Sequence, residues 1–188
     1  MIQINPITDW LCISSQTPVT SDNLKKNNIT CVVDATEPQA GVSYGHDVDY
    51  VKVPVADTEG SLLNAYFDVV ADRILEHKRR NGCTLVHCLM GKSRSAALCI
   101  AYLVRHEGMS LRDAFACVFR ARPVISPNIG FWHQLIAYER RTRGDVTVKM
   151  IAQRGAYPLE VADVAVEMRR RRALELQHEL KQKHSFSG

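Results

Sequence analysis

Residues 84–103 read TLVHCLMGKSRSAALCIAYL, and the order of parts within this stretch decides the architecture around it. Residues 84–86 are a short apolar run of strand length, and residues 96–103 carry Ala and Leu at the three- and four-residue spacing of a helix packed on a core. Between them lie Cys88, Gly91, Lys92, Ser93, Arg94 and Ser95, a strand-to-helix crossing with a thiol at one end and a guanidinium at the other. A loop that wraps back before a helix points successive backbone N–H groups inward, and this nest with the helix N-terminus favours a doubly charged anion. Leu89, Met90, Gly91, Lys92 and Ser93 would supply the nest. Gly91 permits the sharp turn. Arg94 follows Cys88 by six positions, so its planar fork can curl in and grip two oxygens at once. The same positive field favours thiolate over thiol at Cys88. Ser95 can then offer its hydroxyl to the sulfur.

Outward from this stretch, strands and helices alternate. Residues 10–14 read as a first strand, and Thr20 or Ser21 caps a short helix through Lys26. Residues 29–33 are a β-branched run of buried-strand type, and residues 37–41, EPQAG, carry turn chemistry. Residues 49–55, DYVKVPV, alternate polar and apolar and contain Pro54, which places them at an edge or a strand end. Ser61 opens a long amphipathic helix that Gly82 ends. After the central stretch, Gly108 stops its helix, Ser110 caps another through Ala121, and Asn128 starts a last core helix that Gly144 terminates. This alternation predicts an α/β fold, a mostly parallel central sheet flanked by helices, over residues 1–145. Residues 146–188 differ: 146–151 could add an edge strand, and 159–183 read as a charged helix, so the chain ends in a helical extension.

Composition narrows the function. The 188 residues carry a net charge of +4, too mild for a dedicated nucleic-acid binder. Residues 146–188 hold eight basic and five acidic groups, so +3 of that charge sits there, with a single arginine run at 169–172. A solvated helix with charge pairs is preferred here over a localisation, membrane-surface or nucleic-acid patch, because glutamates flank the run. The six cysteines, Cys12, Cys31, Cys83, Cys88, Cys99 and Cys117, lack C-x-x-C spacing and read as reduced core residues, not as disulfides or a zinc site. No signal peptide, lipidation motif or membrane span is legible, so a soluble, cytoplasmic protein is expected, with the nucleus left open.

HCLMGKSRS, residues 87–95, resembles the His-Cys-x5-Arg-Ser signature of cysteine-dependent protein phosphatases, and the following SAALCIAYLV resembles their dual-specificity branch. The early first strand leaves no room for the regulatory domain of the larger members, which points to the small atypical subgroup. The resemblance implies a phosphatase-like fold and a shallow pocket open to phosphotyrosine, phosphoserine and phosphothreonine. It implies hydrolysis through a phosphocysteine intermediate, with no metal and no cofactor. Cys88 would be the nucleophile, Arg94 the transition-state clamp, and Ser95 the aid to the departing thiolate. Asp57, 31 residues before Cys88 in VPVADTEGS, is similar to the family's acid and would protonate the leaving oxygen, with Glu59 in reserve. His87 would orient the loop from behind, because adjacent residues of an extended segment face opposite ways. Asn128 in SPNIGFWHQL resembles the Asn that supports the phosphate loop, although a helix cap alone would also account for it. Phe131, Trp132 and His133 read as helix packing.

Two departures bear on substrate. Asp34 in CVVDAT stands where the family usually has Asn, and would either repel phosphate or replace a structural hydrogen bond. Lys92 is basic where many protein-directed members are not, which keeps a phosphoinositide substrate open beside phosphorylated proteins. A non-catalytic phosphoprotein scaffold is the third alternative. The oligomeric state is not legible.

Overall fold

The computed structural model describes residues 3–37, 44, 47–153 and 159–185. Its centre is a five-stranded sheet. The strands are β1 (Asn5–Thr8), β2 (Leu11–Ser15), β3 (Ile29–Asp34), β4 (Asp49–Lys52) and β5 (Cys83–Cys88), in the order β1-β2-β5-β3-β4. β5 pairs parallel with β2 and β3, and β3 parallel with β4, while β1 runs antiparallel at the far edge. The mostly parallel α/β fold therefore stands as expected.

All six residues of β5 are buried, as a strand covered on both faces must be. Alternate residues feed two cores: Ile13, Val33 and Val86 face the larger one, Cys12, Val32 and Leu85 the smaller. Helix α1 (Ser21–Lys26) lies on the smaller side and brings Leu24 into it. The larger core is built by α2 (Phe67–Arg79), α3 (Arg94–His106), α4 (Leu111–Ala121) and α5 (Ile129–Arg143). Every residue of α3 from Arg94 to Val104 is buried. A helix without a polar face can only be central, and Ala96, Ala97 and Ala101 let its neighbours approach.

Several boundaries move. β1 was not anticipated: it holds only four residues and includes Pro6, which an edge strand tolerates. The helix expected from Ser61 begins instead with a tight 3₁₀ turn, Leu63–Tyr66, before α2. It ends ahead of Gly82 on Asn81, which takes the left-handed conformation at φ 56°. Gly82 serves close approach, since a Cβ there would lie 2.4 Å from Thr30 Oγ1. β4 stops at Lys52, two residues short of Pro54, and is an edge strand. Of the turn expected at 37–41, residues 38–41 lie outside the described residues.

The extension departs more. Residues 150–153 do not join the central sheet; Met150–Gln153 (β6) pairs antiparallel with Leu159–Ala162 (β7) in a separate ribbon. The last helix, α6 (Asp163–Ser185), starts four residues later than charge patterning suggested. LEVA pairs with MIAQ before the helix can begin, and Asp163 Oδ1 then accepts from the Val164 and Lys149 amides at 2.7 and 3.2 Å. Val148, Ala162, Val164 and Ala165 are buried in the larger core. No described helix is long and apolar enough to cross a membrane.

Candidate active site

Parallel pairing delivers the carboxyl ends of β2, β3 and β5 to one edge of the sheet, with Ser15 beside Cys88 and Asp34 beside His87. In α/β sheets that edge is where ligands bind. The loop from Cys88 to Arg94 is held there from outside, carbonyl by carbonyl. The Leu89 carbonyl accepts from the Gln16 amide at 3.3 Å and the Lys92 carbonyl from the Ser126 amide at 2.8 Å. Arg122, only 3% exposed, spans the two between: Nε donates to the Gly91 carbonyl at 2.8 Å and a terminal nitrogen to the Met90 carbonyl at 3.1 Å. Its other terminal nitrogen donates to Asn5 Oδ1 at 2.8 Å.

Across a trans peptide the N–H points opposite to the C=O. Four carbonyls tied outward therefore turn the N–H groups of Met90, Gly91, Lys92 and Ser93 into the loop's interior, which is an anion nest. Gly91 is obligatory twice over. It sits at φ 64°, and a Cβ would lie 2.5 Å from the Ser14 carbonyl carbon and oxygen.

Cys88 Sγ sits at the base, 1% exposed, with Ser95 Oγ 3.2 Å away. The N-terminus of α3 has no side-chain cap, because Ser93 donates its hydroxyl to Asp57 Oδ1 at 2.7 Å instead. Arg94 folds inward at 5% exposure and donates to the Val55 carbonyl at 3.1 Å. Its Nε lies 3.6 Å from Asp57 Oδ2. Asp57 is thus brought over the loop by the segment that follows β4. Asn128 completes the clamp: its amide donates to Asp57 Oδ1 at 2.9 Å, its Oδ1 accepts from the Phe131 amide at 2.9 Å, and its backbone N–H donates to Ser93 Oγ at 3.1 Å. It is a helix cap, a loop support and the anchor of Asp57 together.

Three residues of this assembly have roles that the sequence pattern does not announce. Arg122 is one. Gly130 is another, since a Cβ there would fall 1.9 Å from the Glu59 carbonyl oxygen, so only glycine lets the loop that carries Asp57 and Glu59 rest on α5. Gln134 is the third: it donates to the Ser61 carbonyl and accepts from the Asn64 amide, each at 2.8 Å. Glu59, by contrast, is exposed, and its carboxylate makes no ion pair among the described residues.

His87 faces away from Cys88. Its Nε2 lies 3.1 Å from the Tyr44 hydroxyl and 3.7 Å from Asp34 Oδ1. Burial pushes its pKa down to about 4, against the pull of Asp34 and the Cys88 backbone, so the ring is neutral near pH 7. Asp34 is 1% exposed and fully engaged: Oδ1 accepts from the Thr36 amide and hydroxyl at 2.9 and 2.7 Å, Oδ2 from the Tyr50 hydroxyl and Lys52 Nζ at 2.8 and 3.0 Å. Burial alone would raise its pKa, but these donors together outweigh it and hold the carboxyl down at about 2. Asp34 is therefore a structural acceptor. Phe131 and Trp132 pack in the core, whereas His133 is exposed and paired with Glu160 at 3.2 Å, which corrects the packing role expected for it.

A buried thiol at the base of a loop of inward amides, with a buried guanidinium and a carboxylate paired beside that loop, defines a class of phosphoryl-transfer site. The chain belongs to the dual specificity phosphatase family, whose catalytic-domain model matches residues 11–141. Among curated relatives, human dual specificity protein phosphatase 14 is 48% identical over 128 residues, which cover 68% of this chain and 64% of that protein. The chain thus spans somewhat under two thirds of that relative's length. Bovine dual specificity protein phosphatase 18 is 44% identical over 152 residues, 79% of each chain. Among solved structures, human DUSP28 (Y102H) superposes with a TM-score of 0.72 at 35% identity, covering 75% of this chain and 97% of that one.

Proposed function

We propose that this chain hydrolyses phosphate monoesters on protein tyrosine, serine and threonine through a phosphocysteine intermediate. The observation that carries the reading is the loop whose carbonyls at residues 89–92 are all bonded outward, leaving its amides to turn inward above Cys88, with Arg94 folded in beside Asp57. Phosphate oxygens take the inward N–H groups and the Arg94 fork, which stabilise the charge of the transferring group. The Cys88 thiolate attacks phosphorus in line, forming S–P as the P–O bond to the leaving oxygen breaks. Asp57 gives that oxygen its proton. Water then attacks the phosphocysteine, Asp57 takes the water's proton, and the S–P electron pair returns to sulfur, where the Ser95 hydroxyl donates to it.

The test is release of inorganic phosphate from an aryl phosphate and from phosphopeptides. Cys88→Ser abolishes turnover while retaining vanadate binding. Asp57→Ala costs about a hundredfold to ten-thousandfold in rate, least for substrates whose leaving group is a weak base. Equal losses for good and poor leaving groups would remove Asp57 from its role. Phosphopeptide binding without phosphate release would leave only a scaffold, and faster turnover of phosphoinositides than of phosphopeptides would move the substrate to lipids.

A further inference from the structure

α6 carries its arginine run back to the active site. The Arg169 guanidinium donates to Ser126 Oγ at 3.1 Å, and the Ser126 amide is the group that holds the Lys92 carbonyl of the phosphate loop. A groove of about 380 Å³ opens at Glu59 and Asn128, beside the acid and its anchor, and runs to Arg169 over Trp132, Ala162 and Ala165. On the other flank of the helix a second groove, of about 290 Å³, lies between α4 and α6, with Arg120, Arg171 and Arg172 around Phe119 and Met168. Ala165, Arg169 and Arg172 are four and three residues apart and so share one face of the helix. α6 is the ridge between the two grooves.

The charges in this region are unequally occupied. Arg171 and Arg172 reach Glu175 at 3.7 and 3.6 Å, and Glu160 is held by His133 at 3.2 Å. Lys92, Arg120 and Arg169 are exposed and make no ion pair with a described carboxylate. Two carboxylates line the groove on the catalytic side: Glu59 at its mouth, and Glu160, which faces His133. Lys92, Arg169 and Arg120 are therefore exposed cations without a described carboxylate partner, and Arg169 and Arg120 stand beside apolar floors that Glu59, Glu160 and Glu175 border. An acidic side chain lying there meets an open cation while its stem covers the floor.

We propose that Arg169 is a specificity-determining residue: it holds an acidic segment flanking the phosphorylated residue of a protein substrate, with Lys92 and Arg120 as further cations for it. This rests on the proposed phosphatase reading and names its substrate class. The test compares two phosphotyrosine peptides of one sequence, glutamates on both sides of the phosphorylated residue in one and glutamines in the other. For the full chain, kcat/KM favours the acidic peptide by about tenfold, and rising salt erodes the preference. Arg169→Gln brings the ratio below about twofold, Arg169→Lys keeps most of it, and Arg169→Glu inverts it. The same ranking of Kd holds in the Cys88→Ser background, where no turnover is needed. An unaltered ratio in Arg169→Gln, or no preference in the unsubstituted chain, overturns the proposal. So does binding to anionic phospholipid vesicles without any peptide preference. Absent aryl phosphate turnover together with an intact Kd ranking would instead overturn the activity and leave this surface standing.

Discussion

A methyl group at position 130 would fall 1.9 Å from the Glu59 carbonyl oxygen, and that contact ties a backbone feature to a rate. Gly130→Ala must push the acid loop off α5. It should slow hydrolysis of alkyl phosphates about tenfold to a hundredfold by misplacing Asp57, with little effect on a nitrophenyl ester whose leaving group needs no proton. Leaving-group dependence of kcat checks this, and uniform loss for both esters would point to general misfolding. That Cys88, Arg94 and Asp57 gather at one loop was legible because each sits in a recognisable local sequence frame. The contacts of Arg122, Gly130 and Gln134 were not. Arg122 meets Gly91 from 31 positions away and Gln134 meets Ser61 from 73, and nothing in the local pattern marks either as a brace.

At the scale of elements, β3 and β5 are joined by a polar layer as well as by their ladder. His87 on β5 titrates near 4 and Asp34 on β3 near 2, both below their ordinary values. Between pH 6.5 and 4 the unfolded chain protonates its histidine while the folded one does not, so acidification through that window weakens the fold. The loss amounts to about 3 kcal/mol by pH 4. Asp34 adds a second loss from about pH 4 down through 2. Urea unfolding from pH 4 to 8 reads the first effect, and His87→Asn should flatten the slope by about one proton whatever its stability at pH 8. Helix α3 was legible because an unbroken apolar sequence has only one place to go. β6 and β7 were not, because four-residue strands carry too little pattern to compete with a charged helix signal.

For the molecule as a whole, the extension is part of the packing. Arg112 on α4 donates to Asp163 and Glu167 on α6 at 2.6 and 2.7 Å. Buried Glu139 on α5 accepts from the Leu111 amide at 2.7 Å and from the Thr147 amide and hydroxyl at 2.8 and 2.7 Å. A chain ended at residue 145 would lose the buried side chains of Val148, Ala162, Val164 and Ala165 and leave part of the Glu139 carboxylate unsatisfied. It should be less stable by about 3–6 kcal/mol, read as a lower midpoint in urea. An unchanged midpoint would show that residues 146–188 contribute no packing energy. One of the structure's long reaches also bears on the chain's birth. Asn5 and Arg122 are 117 positions apart, and Asn5 holds the guanidinium that braces two carbonyls of the loop around Cys88. On the ribosome the amino-terminal half emerges first with its cysteine already made but its binding ring unsupported. The brace on the loop around Cys88 is therefore completed only after synthesis has passed the fourth helix.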